Sequence, residues 1–92
     1  MNIKHKLVEN KGLFYIEKDG IVGAEMTYSK AGDSLIIIDH TEVNERFKGI
    51  GLGLILVEAA VKYARDNKLK IMPLCPFANA MFKKHPEFKD IL

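Results

Sequence analysis

Lys48-Gly49-Ile50-Gly51-Leu52-Gly53 sets three glycines at alternate positions between an isoleucine-rich run and a long apolar segment. Upstream, Leu35-Ile36-Ile37-Ile38-Asp39-His40-Thr41-Glu42-Val43 reads as a strand; downstream, Leu52 to about Asn67 reads as a helix. No acidic residue occurs between Glu45 and Glu58. The helix therefore starts with nothing of its own to offset the positive end of its dipole. Free backbone N–H groups there, with Lys48 and Arg46 nearby, suit an anion from outside. The other reading is that the glycines only let the helix lie close to a sheet.

Working outward, the first half reads as antiparallel strands. Leu13–Glu17 and Ile21–Tyr28 flank Asp19-Gly20, a strong two-residue hairpin turn. Ala31-Gly32-Asp33 turns the chain into the run at Leu35. Its four consecutive apolar residues predict a central strand covered on both faces. A shorter strand is expected near Ile3–Val8. In the helix, Glu58, Lys62, Arg65 and Asp66 form the one polar stripe, with Glu58 and Lys62 spaced for an ion pair. Lys70 to Cys75 predicts a short strand whose Pro73 fits a strand end, and Phe77–Lys84 a short helix stopped by Pro86.

Strand, glycine turn, helix, strand is a βαβ unit, so the fold class is α/β (α+β): an antiparallel sheet leading into one parallel strand pair. One domain over residues 1–92 is expected. The C-terminal ends of both parallel strands and the helix N-terminus then share one sheet edge, where open α/β sheets bind ligands. That makes the anion site and Cys75 predicted neighbours.

Composition narrows the function. Fourteen basic against 12 acidic residues give a net charge of +2, too balanced to argue for nucleic-acid binding. The uncharged run Gly49–Val57 is too short to span a bilayer, and the N-terminal residues lead into no signal-type apolar region. A single cysteine excludes an internal disulfide, and the three histidines have no metal-ligand spacing. No metal, no nucleic-acid or membrane partner, a cytoplasmic setting and a monomer are the expectations.

Two familiar glycine loops fail. A Walker A loop needs a Gly-Lys-Ser/Thr ending, and a dinucleotide fingerprint needs Gly-x-Gly-x-x-Gly in a wholly parallel context. What remains resembles the GNAT superfamily of acetyl-CoA-dependent N-acetyltransferases. Its signature is a strand ending in valine, then Arg/Gln-x-x-Gly-x-Gly/Ala opening a helix. Lys48 to Gly53 fits with Lys in the basic position and Val43 at the strand end. Ala78-Asn79-Ala80-Met81-Phe82-Lys83-Lys84 followed by Phe88 is similar to the family's closing segment, with Phe82 where a tyrosine, often the general acid, is common. His40-Thr41-Glu42-Val43 and Pro73-Leu74-Cys75 are similar to small single-domain members, in which the cysteine is the suspected catalytic residue. The resemblance implies that acetyl-CoA or coenzyme A lays its pyrophosphate on the amides of Lys48, Gly49, Ile50, Gly51, Leu52 and Gly53. The pantetheine arm would lie between the parallel strands, pairing with backbone near Val43.

Acetyl transfer to an amine needs a neutral nucleophile, a polarised thioester carbonyl and a proton for the leaving thiolate. The Val43 N–H is the candidate for the carbonyl. Cys75 is the candidate proton donor or transient acyl acceptor; alternatively it is a core residue. His40 is the candidate base, with a backbone-bonded structural histidine as the alternative. Strand alternation puts Ile36, Ile38, His40 and Glu42 on one face, making Glu42 the reserve base, with Asp39 and Thr41 on the other. Glu45 reads as a loop charge and His85 as structural. The rival functions are a non-catalytic acyl-CoA-binding module and an interaction domain whose glycines serve packing alone.

Overall fold

The computed structural model describes residues 2–92. One five-stranded sheet runs in chain order: β1 Ile3–Val8, β2 Lys11–Lys18, β3 Ile21–Ala31, β4 Leu35–Val43 and β5 Lys70–Pro73. The first three pairings are antiparallel and β4–β5 is parallel. Helix α1, Leu52–Asp66, makes the crossover, and α2, Pro76–Lys84, follows β5. Short 3-10 helices at Glu45–Phe47 and Pro86–Ile91 complete the chain. The expected class, the hairpins and the βαβ unit are all present. Asp19 and Gly20 both take positive φ (54° and 78°), the conformation that matches strand twist across a two-residue turn.

Two expectations are corrected. β4 is covered on one face, not both: Ile36 and Ile38 are fully buried, whereas Leu35 and Ile37 are half-buried. All the covering comes from α1 and the segments after it, so the opposite face of the sheet stays open. Lys62 pairs with Asp66 at 2.7 Å, one turn further on, and not with Glu58.

The inner face carries Phe14 and Ile16 from β2, Ala24, Met26 and Tyr28 from β3, and Ile36 and Ile38 from β4. Leu52, Leu56, Val57, Ala60, Val61 and Ala64 of α1 pack onto it. Each fully buried Leu, Ile or Val side chain contributes about 1.5–3 kcal/mol of transfer free energy. Arg65 donates to both Asp90 carboxylate oxygens (3.0 and 2.8 Å) and to the Glu87 carbonyl (2.8 Å), tying the last turn of the chain to α1.

At the β1 edge the His5 ring stacks on Phe14 (4.1 Å between centroids), and its Nε2 lies 2.6 Å from the Tyr28 hydroxyl. Tyr28 reaches this site because Gly12 has no side chain: a Cβ there would stand 2.0 Å from the tyrosine ring. Gly12→Ala is expected to cost about 1–3 kcal/mol through overpacking. That lowers Tm by roughly 4–8 °C per kcal/mol for a domain this size, readable by calorimetry. Packing of the His5 ring holds the imidazole below its ordinary value of 6.5. As pH falls through that value, the unfolded chain takes up a proton that the folded ring resists. Stability should therefore decline from neutral to mildly acidic pH, and His5→Gln should flatten part of that decline in urea titrations.

Candidate active site

A cleft of about 1020 Å³ opens at the C-terminal edge of the parallel strand pair. It exists because the two strands part. Their pairing runs from Leu35↔Lys70 to Ile38↔Pro73 and stops. The Ile38 carbonyl then accepts from both Leu74 N–H (3.0 Å) and Cys75 N–H (3.2 Å), and the chain turns off into α2. β4 continues to Val43 with β3 as its sole strand neighbour among the described residues. Asn44 N–H donates to Gly23 on β3 (2.7 Å). By strand alternation the Val43 N–H points the other way, toward the gap.

The glycine run builds the floor. Gly49 and Gly51 both take φ of 85°, and a Cβ at either would meet nothing within 4 Å. Positive φ is the reason for glycine at these two positions, and the space before them is open. Gly53 has another reason: a Cβ there would stand 2.2 Å from the Phe77 ring. The close approach it permits is to α2, not to the sheet. The first hydrogen bond of α1 is Ile55 N–H to the Gly51 carbonyl (3.2 Å). The amides of Leu52, Gly53 and Leu54 thus lie before the helix ladder begins. No side chain caps them and no acid occupies the first turn, so the expected bare helix mouth is present. It is not plugged by the protein's own groups.

Val43, Lys48, Gly49, Gly51, Leu52 and Gly53 all line the cleft, together with Glu42 and Glu45. Ile50 does not; its side chain points to solvent, half exposed. Lys48 bonds Glu45 at 2.8 Å, and the carboxylate holds the ammonium above its ordinary value. Glu45 is therefore a partner of the loop lysine. The loop thus offers amides without a side-chain cap beside a cation that is already shared.

The expected face of β4 is overturned by a bulge. Thr27 pairs with His40 and Tyr28 with Ile38, which leaves Asp39 as the extra residue. Thr27 Oγ1 and Ser29 Oγ (3.2 Å) both donate to the Asp39 carboxylate and pin it on the open face. Alternation restarts one residue out of phase. His40 and Glu42 turn to the open face, where they lie 3.3 Å apart and are mostly exposed. Thr41, opposite buried Met26, turns inward. His40 and Glu42 therefore do not share the face of Ile36 and Ile38, as unbroken alternation had placed them, and Thr41 is the β4 side chain that meets the Cys75 sulfur.

Cys75 is buried, 6% exposed, as the N-cap of α2. Ala78 N–H donates to its sulfur at 3.3 Å, and Thr41 Oγ1 lies 3.3 Å from the same atom. The thiol is thus at the cleft edge of the sheet, one side chain back from the cleft, with Thr41 between. Phe82 is buried against Phe88 with rings 5.9 Å apart and lines no part of the cleft. The outer wall comes from Phe77, Met81, Lys84 and His85, none of which was singled out from sequence for a site role. His85 is also anchored structurally, stacked on Phe88 and 3.1 Å from Glu87. Among the described residues there is no metal-binding cluster, and no helix is long and apolar enough to cross a membrane.

Comparison with known proteins agrees with this geometry. Residues 13–91 match a family model described as GCN5-related N-acetyl-transferase. A GCN5-like protein of Staphylococcus aureus, known by solution structure, is 40% identical; the match covers 98% of this chain and 87% of that one, with a TM-score of 0.74. The fold is shared with a ribosomal-protein-alanine N-acetyltransferase of Brucella melitensis (13% identity, 84% and 62% covered, TM-score 0.70). It is shared too with an aminoglycoside N-acetyltransferase solved with coenzyme A (14% identity, 88% and 68% covered, TM-score 0.61). No curated protein sequence matched the chain. With the parted strands, the bare glycine-led helix and a family match over most of its length, this chain belongs to the GCN5-related N-acetyltransferases.

Proposed function

We propose that the chain moves an acetyl group from acetyl-CoA to a primary amine, with the cofactor in the cleft and the acceptor arriving from the open face of the sheet. The observation that carries this is the pairing of a bare α1 N-terminus with an unpartnered length of β4, two anchor points on one cleft. The amides from Gly49 to Gly53 hold the pyrophosphate, since free N–H groups at a helix start favour negative charge. The exposed backbone of β4 takes the pantetheine amides as an absent strand would. The Val43 N–H then faces the thioester carbonyl and stabilises charge that builds on its oxygen.

The bulge at Asp39 divides the remaining chemistry between two faces. On the open side, His40 with Glu42 at 3.3 Å takes the proton of the attacking amine. On the inner side Cys75 supplies the proton for the departing thiolate. Burial of the sulfur, set back from the cleft, favours this over service as the acyl acceptor. The open sheet face sets no wall against a large acceptor, so an amine on a macromolecule fits as well as a small one.

Coenzyme A at about 100 times its Kd should add about 2.7 kcal/mol to stability. That raises Tm by on the order of 10 °C, with NAD giving far less in the same thermal-shift assay. No shift with either coenzyme A or acetyl-CoA would remove the cofactor site. Cys75→Ala should lower kcat for acetyl transfer by about 10²-fold while leaving the coenzyme A dissociation constant unchanged. Wild-type turnover in that variant would return the thiol to a packing role, and an added acetyl mass seen on the wild-type protein but not on Cys75→Ala would make the thiol the acyl acceptor.

A further inference from the structure

Cys75 does not line the cleft in which a thioester would lie, whereas Thr41 does. Thr41 Oγ1 is also 3.3 Å from the Cys75 sulfur. The sulfur already accepts from Ala78 N–H at 3.3 Å; in the Thr41 contact either group can donate, and the relay uses the arrangement in which Cys75 Sγ–H donates to the threonine oxygen. A hydroxyl can accept one proton while donating another, which a side chain of the same shape such as valine cannot. Its inward direction is not a product of simple strand alternation. It follows from the Asp39 bulge, which Thr27 and Ser29 hold in place.

We propose that Thr41 is a proton relay joining the buried thiol of Cys75 to the leaving group in the cleft. This rests on the acetyl-transfer reading above and adds to it the path of the proton. As the amine nitrogen bonds to the acetyl carbon and the carbon–sulfur bond of the thioester breaks, the electron pair of that bond stays on the departing sulfur. Thr41 Oγ1–H gives its proton to that sulfur and takes the proton of Cys75 Sγ–H in the same movement. The products are the amide, a free thiol and Cys75 as thiolate. The proton lost by the amine leaves to the open face, and one returns from solvent to Cys75 before the next turnover. Relay through Thr41 lets the thiol stay buried at 6% exposure and still serve the reaction.

Because the chain has a single cysteine, its S–H stretching band reports one site, and infrared spectroscopy of the free protein tests the arrangement without any turnover. Thr41→Val keeps the β-branched shape of a strand residue; thermal unfolding verifies that it folds. The band should move to the frequency of an unbonded thiol in Thr41→Val and hold its place in Thr41→Ser. With acetyl-CoA and n-butylamine as the reacting pair, Thr41→Val should lose about 10²-fold in kcat with KM for acetyl-CoA unchanged. Thr41→Ser should recover most of that loss. Thr41→Val with Cys75→Ala should be no slower than the worse single variant, since both remove one path. An S–H band unmoved in Thr41→Val overturns the relay whether or not transfer is measurable. So does a kcat within twofold of wild type, or losses that multiply in the double variant. If Cys75→Ala is slow while Thr41→Val is not, the relay alone fails; wild-type turnover by Cys75→Ala sinks the thiol's role and the relay together.

Discussion

The carbonyl of Ile38 is where the sheet stops being a sheet. Up to that residue β4 has a neighbour on each side; beyond it β5 is gone, because two successive amides, Leu74 and Cys75, fold back onto one oxygen and the chain turns into α2. The amides of Lys70 and Leu74 point to the β4 side, bonding Ser34 and Ile38, so the N–H that Pro73 lacks would face the free edge of β5, and the parting is set by the turn into α2. Three things depend on it. The gap leaves a length of β4 unpartnered, α2 begins where β5 ends, and its N-cap cysteine is set beside a β4 side chain.

The core and the cleft are built from one asymmetry. One face of the sheet receives the whole apolar surface of α1, and the other is left to polar and half-buried residues. α1 and the segments after it cover only one face of the sheet, which explains why the inner side chains are fully enclosed while their outer neighbours are not. The same asymmetry gives the candidate site two environments. His40 and Glu42 sit in water on one side; Thr41 and Cys75 sit against packed carbon on the other. The proposed acid–base chemistry would gain from such a division, because the two groups assigned to it cannot neutralise each other directly.

Much of this was legible in the residues. Asp19-Gly20, the isoleucine run, the acid-free helix start and the glycine spacing each carry a local physical reason, and the elements formed where those reasons placed them. Pro73 likewise marked the strand end. The faces of β4 beyond Ile38 were not legible, since a bulge depends on the partner strand. Asp39 is held by Thr27 and Ser29, which are close only after β3 and β4 have paired. That one residue reversed His40 and Thr41. The wall from Phe77 to His85 was missed for a related reason: its members share no spacing that signals a site. A hint existed in Gly53, whose lack of a side chain is explained by the Phe77 ring. Glycine in the first turn of an otherwise apolar helix signals close approach, but not what approaches.

Because neighbours in the sheet are neighbours along the chain, most strand pairing can proceed hairpin by hairpin, with small loops to close. The exception is the parallel pair, which must wait for α1 to be spanned. During synthesis the antiparallel scaffold can therefore organise before the residues that finish the cleft have left the ribosome. The share of the cleft carried by β4, Thr41 to Val43, belongs to that scaffold, whereas the glycine loop and Cys75 come later along the chain.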